Sequence, residues 1–159
     1  MARHHFSTYC IFLHFANNDT IDKQDMNRDS LGKICDFLNL IKMQCTAVFQ
    51  PGQDVCVDKS LILLKGCLAF KQFIRTKQTR FRIKIFQWYT HNGILLDFIV
   101  YHGNMSQELL TTTEQEMLIS EQIPIMLMQR LLNKGHQLFI DSYYTSPRLD
   151  QYFYRATLC

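Results

Sequence analysis

Apolar positions recur along the chain with two different periods, and the change falls at Pro51. Before it, Phe6, Tyr9, Cys10 and Leu13 stand at helical spacing and predict a helix over residues 4–16, stopped by Asn17-Asn18-Asp19. Residues 17–30 are polar, carry Asp19, Asp22 and Asp25 in a short stretch, and predict a loop. Leu31, Ile34, Cys35, Leu38, Ile41 and Cys45 then repeat at i, i+3, i+4 and i+7, a second helix with Asp29 or Ser30 as its N-cap. Pro51-Gly52 closes this section.

Beyond Pro51 the pattern is that of strands. Residues 55–64 are rich in β-formers. In residues 81–89, Phe81, Ile83 and Ile85 alternate with Arg82 and Lys84, as on a half-buried strand. Asn92-Gly93 predicts a hairpin, because both residue types tolerate positive φ, and residues 94–101 form the returning strand. A polar connection over residues 103–113 leads to a predicted helix over 122–134, with Pro124 tolerated in its first turn and Gly135 as its stop. Met126 and Met128 read as core. Residues 137–140 predict a short buried strand. Ser146 then caps a last helix that has Pro147 at its first position and Leu149, Tyr152, Phe153 and Ala156 along it. From residue 54 the order is β-β-β-α-β-α. The first three strands are expected to be antiparallel, and the fourth parallel to the first through a right-handed crossover. The expected fold class is α/β, preceded by a small helical segment.

Composition narrows the class. A chain of 159 residues buries enough surface to hold a core without disulfides or metal. A hydrophobic share of 47% with 19% charged residues excludes a disordered tail. No uncharged apolar run reaches the roughly 18 residues of a spanning helix. The stretch from Phe6 to Ala16 faintly resembles a signal peptide, but Ser7, Thr8 and His14 interrupt it, and an amphipathic helix is the expectation. None of the six cysteines forms a C-x-x-C pair, so no zinc knuckle or redox motif is expected. Cys35 and Cys45 lie in apolar runs, as reduced thiols of a cytosolic or nuclear protein do.

The net charge of +3 averages over an uneven distribution. From Lys59 to Leu96 there is no acidic residue, while Lys59, Lys65, Lys71, Arg75, Lys77, Arg80, Arg82 and Lys84 fall in that window with Phe70, Phe73 and Phe81 among them. Lysine and arginine held against phosphates bind polyanions by counterion release. The alternative is a solvated strand face with the phenylalanines in the core.

Two aspartates flank this basic segment in the predicted layout. Asp58 follows Val55 and Val57 in the first strand, and Asp141 ends the fourth after Leu138, Phe139 and Ile140. If those strands are neighbours, both carboxylates reach one rim of the sheet. Paired carboxylates are ligands for Mg²⁺, and two such ions can activate water at a phosphodiester. The plainer reading makes each a turn former or cap. His4, His5, His91, His102 and His136 show no ligand spacing, and Gly66, Gly93 and Gly103 are too isolated for a phosphate loop. Ser142, Tyr143 and Tyr144 read as packing and capping residues.

These residues lie within text that resembles the piggyBac transposases and the domesticated proteins derived from them. Phe12-Leu13-His14-Phe15-Ala16-Asn17-Asn18 resembles the stretch before that family's catalytic core. The run from Pro51 through Asp58 to Ser60 resembles the segment of its first catalytic aspartate. Lys65-Gly66, Gln72 to Lys77, Ile83-Lys84 and Tyr101-His102-Gly103 resemble its next motifs. Gly135-His136 through Asp141-Ser142-Tyr143-Tyr144-Thr145-Ser146-Pro147 resembles the segment of its second aspartate. The likeness runs over almost the whole chain.

The resemblance implies an incomplete ribonuclease H-like core over residues 51–159. Residues 1–50 would be a helical piece of the family's dimerisation and DNA-binding region. It implies a DDE/D acid set that binds divalent metal, cuts DNA ends and joins them at TTAA targets through hairpin intermediates. Asp58 and Asp141 become the first two catalytic, metal-holding aspartates. Lys65, Lys71, Arg75, Lys77, Arg80, Arg82 and Lys84 become the DNA-binding surface.

Several positions depart from the family pattern. Lys59 replaces a glutamate, Cys67 an arginine, Arg82 a glycine and Ser142 an asparagine. The family's third aspartate and its zinc-binding C-terminal domain lie beyond Cys159; Asp150 falls too early to serve, and Glu116 is a poor substitute. An ammonium at Lys59 competes with a metal ion by charge, although adjacent strand residues point to opposite faces. The expectation is a transposase-derived protein in the nucleus, inactive in DNA cleavage, with residual DNA binding. It would hold Mg²⁺ or Mn²⁺ weakly at most and no zinc. The expected partner is DNA, contacted at its backbone, with a homodimer as a further expectation; no membrane or small-molecule substrate is expected. The competing readings are an active transposase fragment and a repurposed protein-interaction module that does not bind DNA.

Overall fold

The computed structural model describes residues 3–17, 31–64, 68, 70–75, 80–102 and 117–157. The chain separates into two compact units, Met1–Ile41 and Lys42–Cys159, with the boundary inside the second helix.

In the first unit, α1 spans Arg3–Phe12 and ends earlier than the apolar spacing predicts. The His14 ring Nδ1 is 2.8 Å from the Phe12 carbonyl oxygen, so a side chain takes up a carbonyl that another helical turn would have used. Phe6, Tyr9, Ile11 and Phe12 are exposed. The rings of Phe15 and Phe37 pack with centroids 4.3 Å apart. The second helix starts later than predicted. Leu31 opens a turn closed by the Ile34 N–H on its carbonyl at 2.8 Å, and α2 spans Cys35–Val48 with no buried residue. The caps predicted at Asp29 and Ser30 lie outside the described residues.

The second unit is a five-stranded sheet with helices. Its strands are β1 Asp54–Leu63, β2 Gln72–Phe73, β3 Phe81–Thr90, β4 Leu95–Val100 and β5 Gln137–Ile140; its helices are α3 Ile119–Met128 and α4 Pro147–Thr157. β3 pairs antiparallel with β1, β2 and β4, and β5 runs parallel to β1, as the pattern predicts. Both β1 and β2 pair with Arg82, so β2 shares with β4 the edge of β3 that β1 does not occupy. β2 is too short to show a periodicity and is an addition to the predicted order.

Alternation decides the core. Val55 and Val57 of β1, Phe86 and Trp88 of β3 and Leu96 of β4 are buried, and Ile123, Leu127 and Met128 of α3 close over them. Leu138 and Ile140 of β5 join the same cluster. Cys56, Asp58 and Ser60 alternate to the other face, half-buried or exposed. The β3–β4 hairpin turns through His91-Asn92-Gly93, closed by the Gly93 N–H on the Thr90 carbonyl at 2.9 Å. Gly93 alone takes positive φ, at 77°.

α3 begins three residues before the predicted start. The Glu121 carboxylate accepts the Leu118 N–H at 2.7 Å, which draws the chain into helix early and leaves Pro124 in the second turn. The helix runs into a 3₁₀ turn, Gln129–Leu131, and ends at an extended Leu132, short of the predicted stop at Gly135; Asn133 and Gly135 follow with φ of 62° and 74°. Ser146 caps α4 as predicted: its hydroxyl accepts the Leu149 N–H at 3.1 Å and donates to buried Glu121 at 2.6 Å. Among the described residues no helix is long and apolar enough to cross a membrane.

Candidate functional site

The last paired residues of the parallel ladder are Val57 and Ile140. Asp58 and Asp141 are each the next residue along their strands, so the ladder sets them side by side at the end of β5. Parallel neighbours lie about 4.8 Å apart. The sequence expectation that the two acids share one rim therefore matches the register. Both are exposed, and each has an oxygen turned onto local backbone: Asp58 Oδ1 accepts the Lys59 N–H at 2.7 Å, and Asp141 Oδ1 accepts the Ser142 N–H at 2.7 Å and its hydroxyl at 3.2 Å.

Tyr144 lies beneath this rim. The Tyr144 N–H bonds the Asp141 carbonyl at 2.9 Å, which folds the segment after β5 back toward the core. Its ring meets Phe86 edge-on and is 1% exposed, and its hydroxyl makes no hydrogen bond. Burial pushes the phenol well above its ordinary range, and the negative charges of Asp58, Tyr143 and Asp141 push the same way. Cys56, two residues before Asp58, has a thiol raised by burial first and by the Asp58 carboxylate second.

β1 and β3 continue past the end of β5, where Lys59 pairs with Phe86 and Leu61 with Lys84, while β4 and then β2 pair along the other edge of β3. Arg82 and Lys84 of the predicted DNA-binding set lie here, with Lys71 beside β2, Arg75 just after it and Arg80 just before β3. Arg82 donates to the Leu61 carbonyl at 3.3 Å, and the Lys71 ammonium lies 4.5 Å from the Phe81 ring centroid. Lys84 donates to the Tyr143 hydroxyl at 3.1 Å. Lys65, Lys77, Cys67 and Glu116 lie outside the described residues. Cys35, Cys45 and Cys56 are free thiols.

Sequence reasoning weighed Lys59 against Asp58, its neighbour in the chain. The ammonium instead lies 3.9 Å from Asp141 Oδ2 and 3.9 Å from the Tyr143 ring centroid. Tyr143, read from sequence as a packing residue, thus stands between Lys59 and Lys84. The available signal was the phase of Lys59 with Val55 and Val57, which sends it to the face where Tyr143 and Tyr144 return.

The donor set does not fit a two-ion centre. Two carboxylates meet at the rim, one of them faces an ammonium, and no group of three or more His, Cys, Asp or Glu side chains among the described residues could hold a metal ion. A pair of divalent ions bridging a phosphodiester needs more oxygen ligands than two carboxylates supply.

The core is α/β: an antiparallel sheet joined by one parallel strand, with one aspartate inside β1 and the other just past the end of β5. The family model described as Transposase IS4 matches residues 1–158, and the chain belongs to that family. Among solved structures it is similar to a piggyBac transposase in a synaptic complex with hairpin DNA. The TM-score is 0.79 at 20% identity, over 96% of this chain and 30% of that one. The fold is that of the piggyBac transposase, as its motifs suggest, and the chain spans about 30% of the length of that relative.

Proposed function

We propose that this protein is a DNA-binding derivative of a piggyBac-type transposase core, acting in the nucleus and without DNA strand cleavage. The observation that carries the reading is the part of β1 and β3 past the end of β5. It bears Arg82 and Lys84 beside Lys71, Arg75 and Arg80, with no acidic residue between Lys59 and Leu96 to offset them. A similar fold occurs in a transposase bound to hairpin DNA. The contacts would be to the phosphate backbone and indifferent to sequence, because lysine and arginine side chains held against phosphates supply charge and fix position but read no base edge. Cleavage and joining at TTAA sites, the activity the resemblance implies, would be opposed by Lys59, whose ammonium faces one of the two rim carboxylates.

The test has two arms. A duplex DNA titration at rising salt is expected to give binding whose log–log slope is on the order of −4 if the five described basic side chains each meet a phosphate. Lack of binding at low salt, or binding with no slope, would sink the DNA reading. Incubation of DNA with the protein and Mn²⁺ is expected to leave it intact; cleavage that disappears in Asp58→Ala would overturn the inactive reading. A second reading, a protein-interaction module, is favoured by exposed Phe6, Tyr9, Ile11 and Phe12 on α1. It gains ground if DNA binding fails while the protein folds.

A further inference from the structure

Lys59 occupies a position where a charged side chain is out of place. It shares the phase of Val55 and Val57, which are fully buried, and it pairs across the ladder with Phe86, which is fully buried too. It is half-buried, and it lies past Val57, the last residue of β1 that pairs with β5. Its ammonium lies against the turn that follows β5. There it meets Asp141 Oδ2 at 3.9 Å and the face of Tyr143 at 3.9 Å. The Tyr143 ring is itself held by Lys84, which donates to its hydroxyl at 3.1 Å.

Asp141 is thereby engaged on both oxygens. Oδ1 accepts the Ser142 N–H and hydroxyl, and Oδ2 faces the ammonium. Asp58 spends Oδ1 on the Lys59 N–H. A single residue therefore touches both acids, one through its backbone and the other through its charge. The aromatic face of Tyr143 favours a cation at this spot as well.

We propose that the Lys59 ammonium is the resident cation of this acid pair, standing where a divalent ion would otherwise be drawn, and that removing it opens a divalent-cation site on Asp58 and Asp141. The positive charge beside the two neighbouring carboxylates comes from the chain itself. A dication entering between Asp58 and Asp141 would have to displace the ammonium or tolerate it at close range, and either costs affinity. The inference deepens the inactive reading above and does not depend on whether the protein binds DNA.

Titration of free Mn²⁺, followed by its solution electron paramagnetic resonance signal, tests this without DNA. The wild-type protein is expected to take up no Mn²⁺ at the acid pair. Lys59→Gln is expected to take up Mn²⁺ at a concentration at least tenfold below the highest at which the wild type takes up none, Lys59→Glu at a lower one still, and both gains should vanish when Asp141→Asn is added. Lys59→Arg, which keeps the charge, is expected to behave as wild type. Thermal melting of each variant shows that it is folded, and the charge-keeping variant provides a comparison if one of the others is not. Wild-type Mn²⁺ binding that is lost in Asp141→Asn would overturn the proposal. So would a folded Lys59→Gln or Lys59→Glu without the gain. Failure of the DNA titration would leave these outcomes unchanged, so the two readings fail separately.

Discussion

Val57 lies beside Ile140 in parallel register, and that single pairing makes neighbours of Asp58 and Asp141. Everything at the rim follows from it: the buried Tyr144 below, the thiol of Cys56 one alternation back, and the Lys59 ammonium against the turn that follows β5.

Tyr144 should make the protein sensitive to alkali. Its phenol is raised in the folded state by burial and by Asp58, from an ordinary value of 10.0, so folding favours the protonated form. That contribution is fully present below pH 10 and is lost as pH rises from there through the folded value. Tyr144→Phe removes the titration and deletes a buried hydroxyl that has no hydrogen-bond partner. Urea midpoints for wild type and Tyr144→Phe should be similar at pH 8, or higher for the variant, and diverge above pH 10 with the wild type falling faster. Parallel curves would refute this.

Cys56 should react slowly with an alkylating agent at neutral pH, because burial and the Asp58 charge both disfavour its thiolate. Replacing the carboxylate in Asp58→Asn removes the second cause and leaves the first. The pH–rate profile for Cys56 alkylation, followed by peptide mass spectrometry, should move to lower pH in Asp58→Asn. An unmoved profile would show that the carboxylate has no hold on the thiol.

Ser146 ties two helices together. Its hydroxyl accepts the Leu149 N–H at the start of α4 and donates to the buried Glu121 carboxylate of α3. Ser146→Ala loses the cap, worth about 1 kcal/mol, and leaves Glu121 short of a partner at a cost of about 1–3 kcal/mol. Chemical denaturation should show a loss on the order of 2–4 kcal/mol, with Ser146→Thr recovering part of it. A loss below about 0.5 kcal/mol would show that the link carries little.

Gly93→Ala tests backbone freedom in isolation. Gly93 sits at φ 77°, and a methyl group there would meet no atom within 4 Å. Any loss is therefore conformational, on the order of 1–2 kcal/mol. Gly52→Ala, where a methyl is likewise unopposed and φ is not positive, is the control and should be near neutral. Equal losses at both positions would contradict the assignment.

Much of the fold was legible because its signals are local. The strand over Phe81–Ile85, the Asn92-Gly93 turn and the Ser146-Pro147 start each rest on signals within a few residues, and the structure keeps them. The core face of β3 is instead the one that Arg82 and Lys84 share with Phe86 and Trp88, and the helix before Gly135 ends at Leu131. Errors fell where a side chain overrode the local rule. His14 takes the Phe12 carbonyl and shortens α1; Glu121 caps the backbone at Leu118 and starts α3 early, which moves Pro124 into the second turn. Asn92 stays out of positive φ because a three-residue turn needs only Gly93 there. The motif residues around Asp58 and Asp141 were readable as a resemblance, but the partner of Lys59 was not.

By itself the sequence determined the kinds of elements and the acid-free basic stretch, since periodicity and charge are properties of the chain within a short window. Only the tertiary structure decided that β5 lies in register with β1 and ends at Ile140, with Lys59 past the last paired residue and against Asp141. That choice is made by packing between segments far apart in sequence. A parallel strand finds its register through the side chains it buries and the helix it crosses with, and no local signal specifies it.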